Sequence, residues 1–152
     1  MEANPTSSVT IRRAEPADGP AVLELLRELG KPPAGAELEE ALRAVLRNEA
    51  HVVLVAEAPL SGVSGIVHAA VVPLLGSGVS VQIFSLSVSP RCRRGGVGRM
   101  LVAAVESWAR EAGCAVASVR SRAERIEAHA FWPALGYEVN KTQTVFRKRM
   151  GA

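Results

Sequence analysis

Aromatic residues are scarce in this sequence: two Trp, one Tyr and three Phe make up only 4% of its 152 positions. A protein that binds single-stranded nucleic acid stacks successive bases on aromatic side chains. The chain offers little material for such a stacking platform. We therefore expect no nucleic-acid partner.

Cysteine is also scarce, since Cys92 and Cys114 are the only two thiols. Neither has a second Cys or a His at the spacing of a metal site, and a single pair of cysteines is not a disulfide framework. We therefore expect two free thiols in a reducing compartment, and no metal ion.

Long apolar runs are missing as well. The first ten residues are polar and include Glu2 and Pro5, so they lack the basic flank and the apolar stretch of a signal peptide. No other stretch stays apolar over the ~20 residues that a membrane-spanning helix needs. These absences predict a cytoplasmic enzyme or binding domain with no membrane partner.

The composition is that of an ordinary globular protein, with 48% hydrophobic and 22% charged residues. Residues 1–152 are few enough for a single domain, and we expect its ordered core to run from about residue 9 to about residue 148. The net charge is +3, from 18 basic and 15 acidic residues, and basic side chains concentrate at 91–99 and 120–125. This concentration favours an anionic ligand.

Hydrophobic periodicity predicts a mixed order of strands and helices. Apolar residues at spacings of three and four predict amphipathic helices, alternation predicts strands, and Gly or Pro separates the elements. The predicted strands are 9–13, 51–57, 65–74, 79–89, 115–120 and 137–148, the last straight or bent into a pair, and the predicted helices are 16–29, 36–48, 97–112 and 122–135. This order predicts an α/β (α+β) fold with a mixed, mostly antiparallel sheet of about six to seven strands and about four helices.

The strand at 79–89 changes the phase of its alternation partway along. Its apolar positions are odd-numbered up to Ile83 and even-numbered from Phe84 onward. Side chains of a regular strand alternate faces with period two, so a slip of one residue implies an inserted residue. We therefore predict a β-bulge between Ile83 and Leu86.

A basic, glycine-rich loop follows this strand and leads into the next helix. Its sequence is Arg93-Arg94-Gly95-Gly96-Val97-Gly98-Arg99. The first turn of a helix has unpaired amides and partial positive charge, glycines admit a ligand close to the backbone, and arginines suit phosphate oxygens. A diphosphate fits these features. The loop matches neither the Walker motif nor the Gly-x-Gly-x-x-Gly dinucleotide fingerprint.

The loop resembles the acetyl-CoA signature of the GNAT N-acetyltransferase superfamily. That signature is Arg or Gln, two residues, Gly, one residue, and Gly or Ala, and Val88-Ser89-Pro90 precedes it here. A second resemblance covers Ala128-His129-Ala130-Phe131-Trp132 and Leu135-Gly136-Tyr137, which are similar to the second cofactor segment of the family. Together with the element order, the resemblance extends over nearly the whole chain.

The resemblance implies the GNAT fold, in which the sheet splays between a bulged fourth strand and the fifth, and the pantetheine arm of acetyl-CoA enters the opening. It implies transfer of the acetyl group to a primary amine of a small molecule or a peptide, in a ternary complex, with the Val88 amide as oxyanion donor. It also admits a homodimer. The implied cofactor-binding residues are Leu86, Ser87, Val88, Arg93, Arg94, Gly95, Gly96, Val97, Gly98, Arg99, Ser121, Ala128, Phe131 and Trp132.

The sequence departs from the family pattern at two catalytic positions. The bulged strand lacks the Glu that often accepts the amine proton, and Trp132 occupies the position of the Tyr that commonly protonates the thiolate. The base is left open among Glu57, His68 and His129, acting through water. Two other functions also stay open, a CoA-binding sensor or interaction module without turnover and a phosphate loop for another nucleotide.

Overall fold

A computed structural model describes residues 8–30, 34–93, 95–120 and 126–151 of the chain. By its internal contacts the chain divides into two compact units, the first ending at Arg120 and the second beginning at Ser121. The first unit contains the sheet and three helices, and the second contains one helix followed by a tail, residues 137–151. In these described stretches no helix combines the length and the apolar character that a membrane span requires.

The helices and strands follow the predicted order closely. Proline at the start of the predicted first helix produces a short 3₁₀ turn, Pro16–Asp18, before the α-helix begins. The elements are β1 (Thr10–Arg13), α1 (Gly19–Arg27), α2 (Gly35–Arg47), β2 (His51–Ala58), β3 (Gly62–Leu74), β4 (Gly78–Val88), α3 (Val97–Glu111), β5 (Ala117–Val119) and α4 (Ile126–Ala134).

The sheet has five strands in the order β1-β2-β3-β4-β5. The first three pairings are antiparallel, and β4 pairs with β5 in parallel. The predicted mixed and mostly antiparallel sheet is therefore confirmed. The predicted number of strands was too high for the described part of the chain.

The predicted strand at 137–148 is the source of that error. Residues 137–151 form no strand, and Val139, Val145 and Phe146 are each at least 79% exposed. β-branched and aromatic residues favour a strand only where a neighbouring strand and a buried face receive them. The described residues of the second unit contain no other strand. The tail therefore has no strand of its own unit to pair with, and its β propensity is not enough to form one.

The bulge lies where the change of phase predicts it. His68 pairs with Ser85 and Ala69 pairs with Ile83, so Phe84 is an extra residue of β4 with no partner in β3. Ile83 before it is buried, whereas Phe84 is 48% exposed. Because of this inserted residue, the side chains after Phe84 alternate between the two faces of the sheet in the opposite phase to those before it.

The splay between β4 and β5 begins at the same place. The parallel pairing joins Val81–Ile83 to Ala117–Val119 and ends there. From Phe84 to Val88, the edge of β4 that faces away from β3 has no strand partner among the described residues. The predicted opening between the fourth and fifth strands is therefore present.

Helices cover both faces of the sheet. The first two helices bury one face, and the cluster there consists of Ala14, Val22, Leu25, Leu38, Leu42, Val53, Val55 and Ile66. Gly65 precedes Ile66, so it faces the opposite side of the sheet. There it lies against Val97 and Leu101 of α3, and Leu101 is fully buried.

Gly65 is needed for the close approach of α3 to the sheet. A Cβ added at this position would lie 3.0 Å from Leu101 Cδ1 and 3.0 Å from Val97 Cγ1. We expect Gly65→Ala to lower the free energy of unfolding by about 1–3 kcal/mol through overpacking. Urea denaturation measures this, with Gly76→Ala as the control, because a Cβ at Gly76 meets open space. Equal stability of the two variants would contradict the proposed close approach.

Candidate active site

The N-terminus of α3 forms the first half of the candidate site. Gly96 is the N-cap residue in the left-handed conformation, with φ of 83° and ψ of 5°, and no side chain caps the helix. The first intrahelical hydrogen bond runs from the Met100 amide to the Gly96 carbonyl at 3.0 Å. The amides of Val97, Gly98 and Arg99 therefore lack helical acceptors, and the first turn carries no acidic residue. This is the arrangement that binds anions.

Two arginines near this terminus lie within the described residues, Arg93 and Arg99. Arg93 donates from Nε to the Val88 carbonyl at 3.1 Å, and its Nη2 lies 3.5 Å from a carboxylate oxygen of Glu28. Its guanidinium therefore lies along the end of β4, towards the end of α1. Arg99 is exposed in the first turn of α3. The prediction for Arg94 falls outside the described residues.

The free edge of β4 forms the second half of the site. The Ser89 amide donates to the Ser64 carbonyl at 2.8 Å, so Ser89 and Ser64 face each other as a hydrogen-bonded pair. In an antiparallel ladder such pairs alternate with pairs whose N–H and C=O groups point outward. The N–H and C=O groups of Val88 and Leu86 consequently point away from β3, into the opening, while the Ser87 hydroxyl donates to the Leu25 carbonyl at 2.7 Å on the α1 face.

Glu57, one of the predicted bases, is engaged elsewhere. Its carboxylate accepts from Arg12 Nε at 2.7 Å, and the same guanidinium donates to both oxygens of Asp18. The hydrogen bond from Arg12 also holds the pKa of Asp18 below its usual range. Glu57 lies on β2, with β3 between it and β4. The structure does not bring this carboxylate to the bulge.

His68, the second predicted base, is next to the bulge. It faces Ser85 across the ladder, and its Nε2 lies 2.9 Å from Nδ1 of His51, a residue that sequence reasoning missed. Phe84 contacts both imidazoles: its ring is tilted against His68 with centroids 5.0 Å apart and stacked on His51 with centroids 6.0 Å apart. The hairpin register could have revealed the pair, because His51 and His68 are diagonal neighbours on one face of β2 and β3.

Burial lowers the pKa of His68 to about 4 from its ordinary value of 6.5, and repulsion by His51 contributes. The folded chain therefore binds fewer protons than the unfolded chain between these two values. The contribution to stability is intact above pH 6.5 and is lost as the pH falls towards 4. We expect the thermal midpoint to decline over this interval and the decline to shrink in His68→Gln. An identical decline in this variant and the wild type would contradict the assignment.

The second predicted cofactor segment lies in the other unit. Phe131 and Trp132 contact each other edge-to-face with centroids 5.0 Å apart, and Trp132 makes the same kind of contact with Tyr137 at 5.0 Å. Tyr137 also donates its amide to the Trp132 carbonyl, after a turn at Gly136 with φ of 92°. Tyr137 is thus a packing partner of Trp132. Ser121 and the side chains of Ala128 and His129 lie outside the described residues.

A metal centre receives no support from the part of the chain that the structure describes. No group of three or more His, Cys, Asp or Glu side chains is placed there so as to hold an ion. Cys92 and Cys114 are both free thiols, and Cys114 is buried.

Comparison with known proteins identifies the family. The sequence matches the model of the acetyltransferase (GNAT) family over residues 20–137. It is 35% identical over 145 residues to aminoglycoside N(6')-acetyltransferase type 1 of Stenotrophomonas maltophilia, covering 93% of this chain and 94% of that protein.

Two solved structures have a similar fold. One is aminoglycoside N-acetyltransferase AAC(6')-Iy in complex with CoA, with a TM-score of 0.83 and 22% identity over 93% of this chain and 95% of the other. The second is a transcriptional regulator from Bacillus halodurans C-125, with a TM-score of 0.83 and 20% identity over 92% and 99%. Since the family match spans most of the sequence and the bulged, splayed sheet agrees with it, the chain belongs to the GNAT acetyltransferase family.

Proposed function

We propose that this chain moves the acetyl group of acetyl-CoA to a primary amine of a small molecule or a peptide. The observation that carries the proposal is the position of two sets of backbone groups that have no backbone partner, one at the start of α3 and the other on the edge of β4 just before it. An anionic ligand with an amide-containing arm satisfies both sets at once. CoA has this form, and it is the cofactor of the family.

The residues present fit the two parts of CoA. The amides of Val97, Gly98 and Arg99 would hold the diphosphate, and the positive φ of Gly96 keeps a side chain away from it. The outward N–H and C=O groups of Leu86 and Val88 would pair with the pantetheine amides as an added strand does.

The chemistry needs a donor for the carbonyl oxygen. Bound acetyl-CoA supplies a thioester whose carbonyl carbon the amine attacks. The outward Val88 amide is a fixed dipole on the free edge, and it would stabilise the negative charge that develops on the oxygen. The loss of one such donor typically lowers kcat by about 10²–10³-fold.

The thiolate can leave without an acid from the protein. A CoA thiol has a pKa near that of cysteine, about 8.5, so solvent can protonate it. Trp132 carries no proton that can be transferred at useful pH, and Tyr137 is a packing partner of Trp132. The loss of one acid or base group typically slows catalysis by about 10²–10⁴-fold, so the missing acid lowers the rate without preventing the reaction.

Incubation of the purified protein with acetyl-CoA and a panel of primary amines tests the proposal. The panel comprises aminoglycosides, small diamines and lysine peptides, and release of free thiol reports turnover. Aminoglycosides come first because the 35%-identical relative is an aminoglycoside N(6')-acetyltransferase. We expect turnover with at least one amine.

A second candidate function is a CoA-binding module without turnover. The absent Glu on β4 and the similar fold of a transcriptional regulator favour it. Calorimetric binding of CoA without thiol release from any amine would support this candidate against the enzyme. Binding of ATP or NAD but not CoA would contradict both.

A further inference from the structure

Two imidazoles and a phenyl ring form a compact cluster at the bulge. His51 and His68 stack with centroids 5.2 Å apart and planes inclined by 26°, and Phe84 contacts both. His68 is half-buried, and the Phe84 ring is half-exposed. The cluster lies on the face of the sheet that α1 and α2 cover, because His68 pairs with Val53, a member of the core beneath these helices. It therefore has protein on one side and access to solvent on the other.

The hydrogen bond between the imidazoles determines which nitrogen of His68 can accept a proton. His51 Nδ1 and His68 Nε2 are 2.9 Å apart, so one of them carries the hydrogen and the other accepts it. If His68 Nε2 is the donor, its Nδ1 keeps a free lone pair. In this tautomer His51 accepts the hydrogen bond and orients the His68 ring.

The cluster is one strand away from the edge of β4 on which the proposed function places the thioester. His68 faces Ser85, and the next residue, Leu86, directs its N–H group into the opening. Neighbouring strands are ~4.8 Å apart. One water molecule can therefore connect His68 with an amine at that edge.

Since a transferase of this kind must take a proton from its amine, we propose, resting on the proposed function, that His68 is the proton acceptor and that His51 is its positioning residue. The amine nitrogen forms a bond to the carbonyl carbon, and its proton passes through water to His68 Nδ1. The C–S bond breaks and its electron pair leaves on sulfur. The imidazolium then gives its proton to solvent, and the thiolate takes one from solvent.

The surroundings of His68 keep its imidazole neutral. Burial and the neighbouring imidazole lower its pKa, so its lone pair is free throughout the neutral range. Among the described residues, His51 is the one titratable group that contributes to this shift. A proton received in the reaction is therefore not retained.

Steady-state kinetics of substituted proteins test the catalytic part, with the amine that the wild type acetylates fastest. His68→Gln keeps a donor towards His51 but cannot take a proton, and we expect kcat to fall by about 10²-fold. Calorimetry with CoA should give the wild-type Kd. The control is Gln82→Ala, which removes a half-buried side chain from the neighbouring strand β4, before the bulge, and should leave kcat unchanged.

The positioning role of His51 needs a measurement that would not change if His51 only stabilised the fold. Ring ¹⁵N NMR of the wild-type protein without acetyl-CoA should show His68 protonated at Nε2 and not at Nδ1 above pH 6. His51→Asn can still accept this hydrogen bond and should retain the tautomer, whereas His51→Leu should mix the two tautomers and lower kcat without changing KM.

The outcomes separate the two proposals. A wild type that binds CoA but acetylates no amine overturns the proposed function before any variant is made. An active wild type whose kcat changes less than twofold in His68→Gln overturns the assignment of His68 alone. A His68 ring protonated at Nδ1 in the wild type overturns the role of His51.

Discussion

Gly96→Glu is expected to weaken the binding of CoA by about 100-fold or more, which corresponds to ~2.7 kcal/mol, while the protein stays folded. Gly96 caps α3 with φ of 83°, a conformation that side chains with a Cβ rarely adopt. The new carboxylate would also lie beside the unpaired amides that we assign to the diphosphate. Calorimetric titration with CoA measures the affinity, and circular dichroism verifies the fold.

Gly113→Glu is the matched control for this substitution. Gly113 also has a positive φ, of 88°, but it follows the other end of α3, and a Cβ there meets open space. Both variants carry the same backbone strain and the same added charge. We expect near wild-type affinity for CoA in Gly113→Glu. If both variants lost affinity equally, strain or net charge would explain the loss, and the loop would have no special role.

Leu101→Ala is expected to lower the free energy of unfolding by about 3 kcal/mol, within the range for large-to-small changes in a core. Leu101 is fully buried between α3 and the sheet, where it lies against the backbone at Gly65. The corresponding fall in the thermal midpoint is about 6–12 °C for a chain of this size. Urea and thermal denaturation both measure the effect.

The control for Leu101→Ala is Leu75→Ala in the turn between β3 and β4. Leu75 is fully exposed, so its truncation should change the free energy of unfolding by no more than about 0.5 kcal/mol. Similar losses in the two variants would contradict the position of α3 on the sheet. Because Leu101 and Gly65 are in contact, Gly65→Ala should be better tolerated when combined with Leu101→Ala.

Local patterns were sufficient to predict most of the fold. The odd-to-even change of apolar positions at Ile83 and Phe84 located the bulge, since only an inserted residue reconciles that pattern with one buried face. The amphipathic spacings of α1, α2 and α3 likewise reflect one apolar stripe packed on the sheet. These features depend on neighbours in the sequence, and the sequence contains that information.

The features that could not be predicted depend on partners distant in the sequence. The tail has the composition of a strand, but a strand also needs a second backbone, and composition does not specify one. Gly65 has no local role, and its importance comes from the Leu101 and Val97 side chains that lie against it. Sequence spacing alone did not reveal this contact.

The candidate site also contains features that depend on neighbouring residues and features that depend on distant ones, and only the former could be predicted. The unpaired amides from Val97 to Arg99 follow from a helix that begins after glycines, so the motif was enough to predict them. The contact of Arg93 with the Val88 carbonyl and Glu28 depends on how the end of α1 lies against β4, and the motif does not report it. His51 became visible only once the register of β2 and β3 was known.

A structure of the protein in complex with CoA would show which backbone groups hold the cofactor. We expect the diphosphate on the amides of Val97, Gly98 and Arg99, and the pantetheine amides on the outward backbone groups of Leu86 and Val88. The Arg93 side chain would then leave the Val88 carbonyl or share it with the cofactor. A complex in which CoA binds away from α3, or in which the edge of β4 from Phe84 to Val88 pairs with a protein strand, would overturn the assignment of these groups to the cofactor.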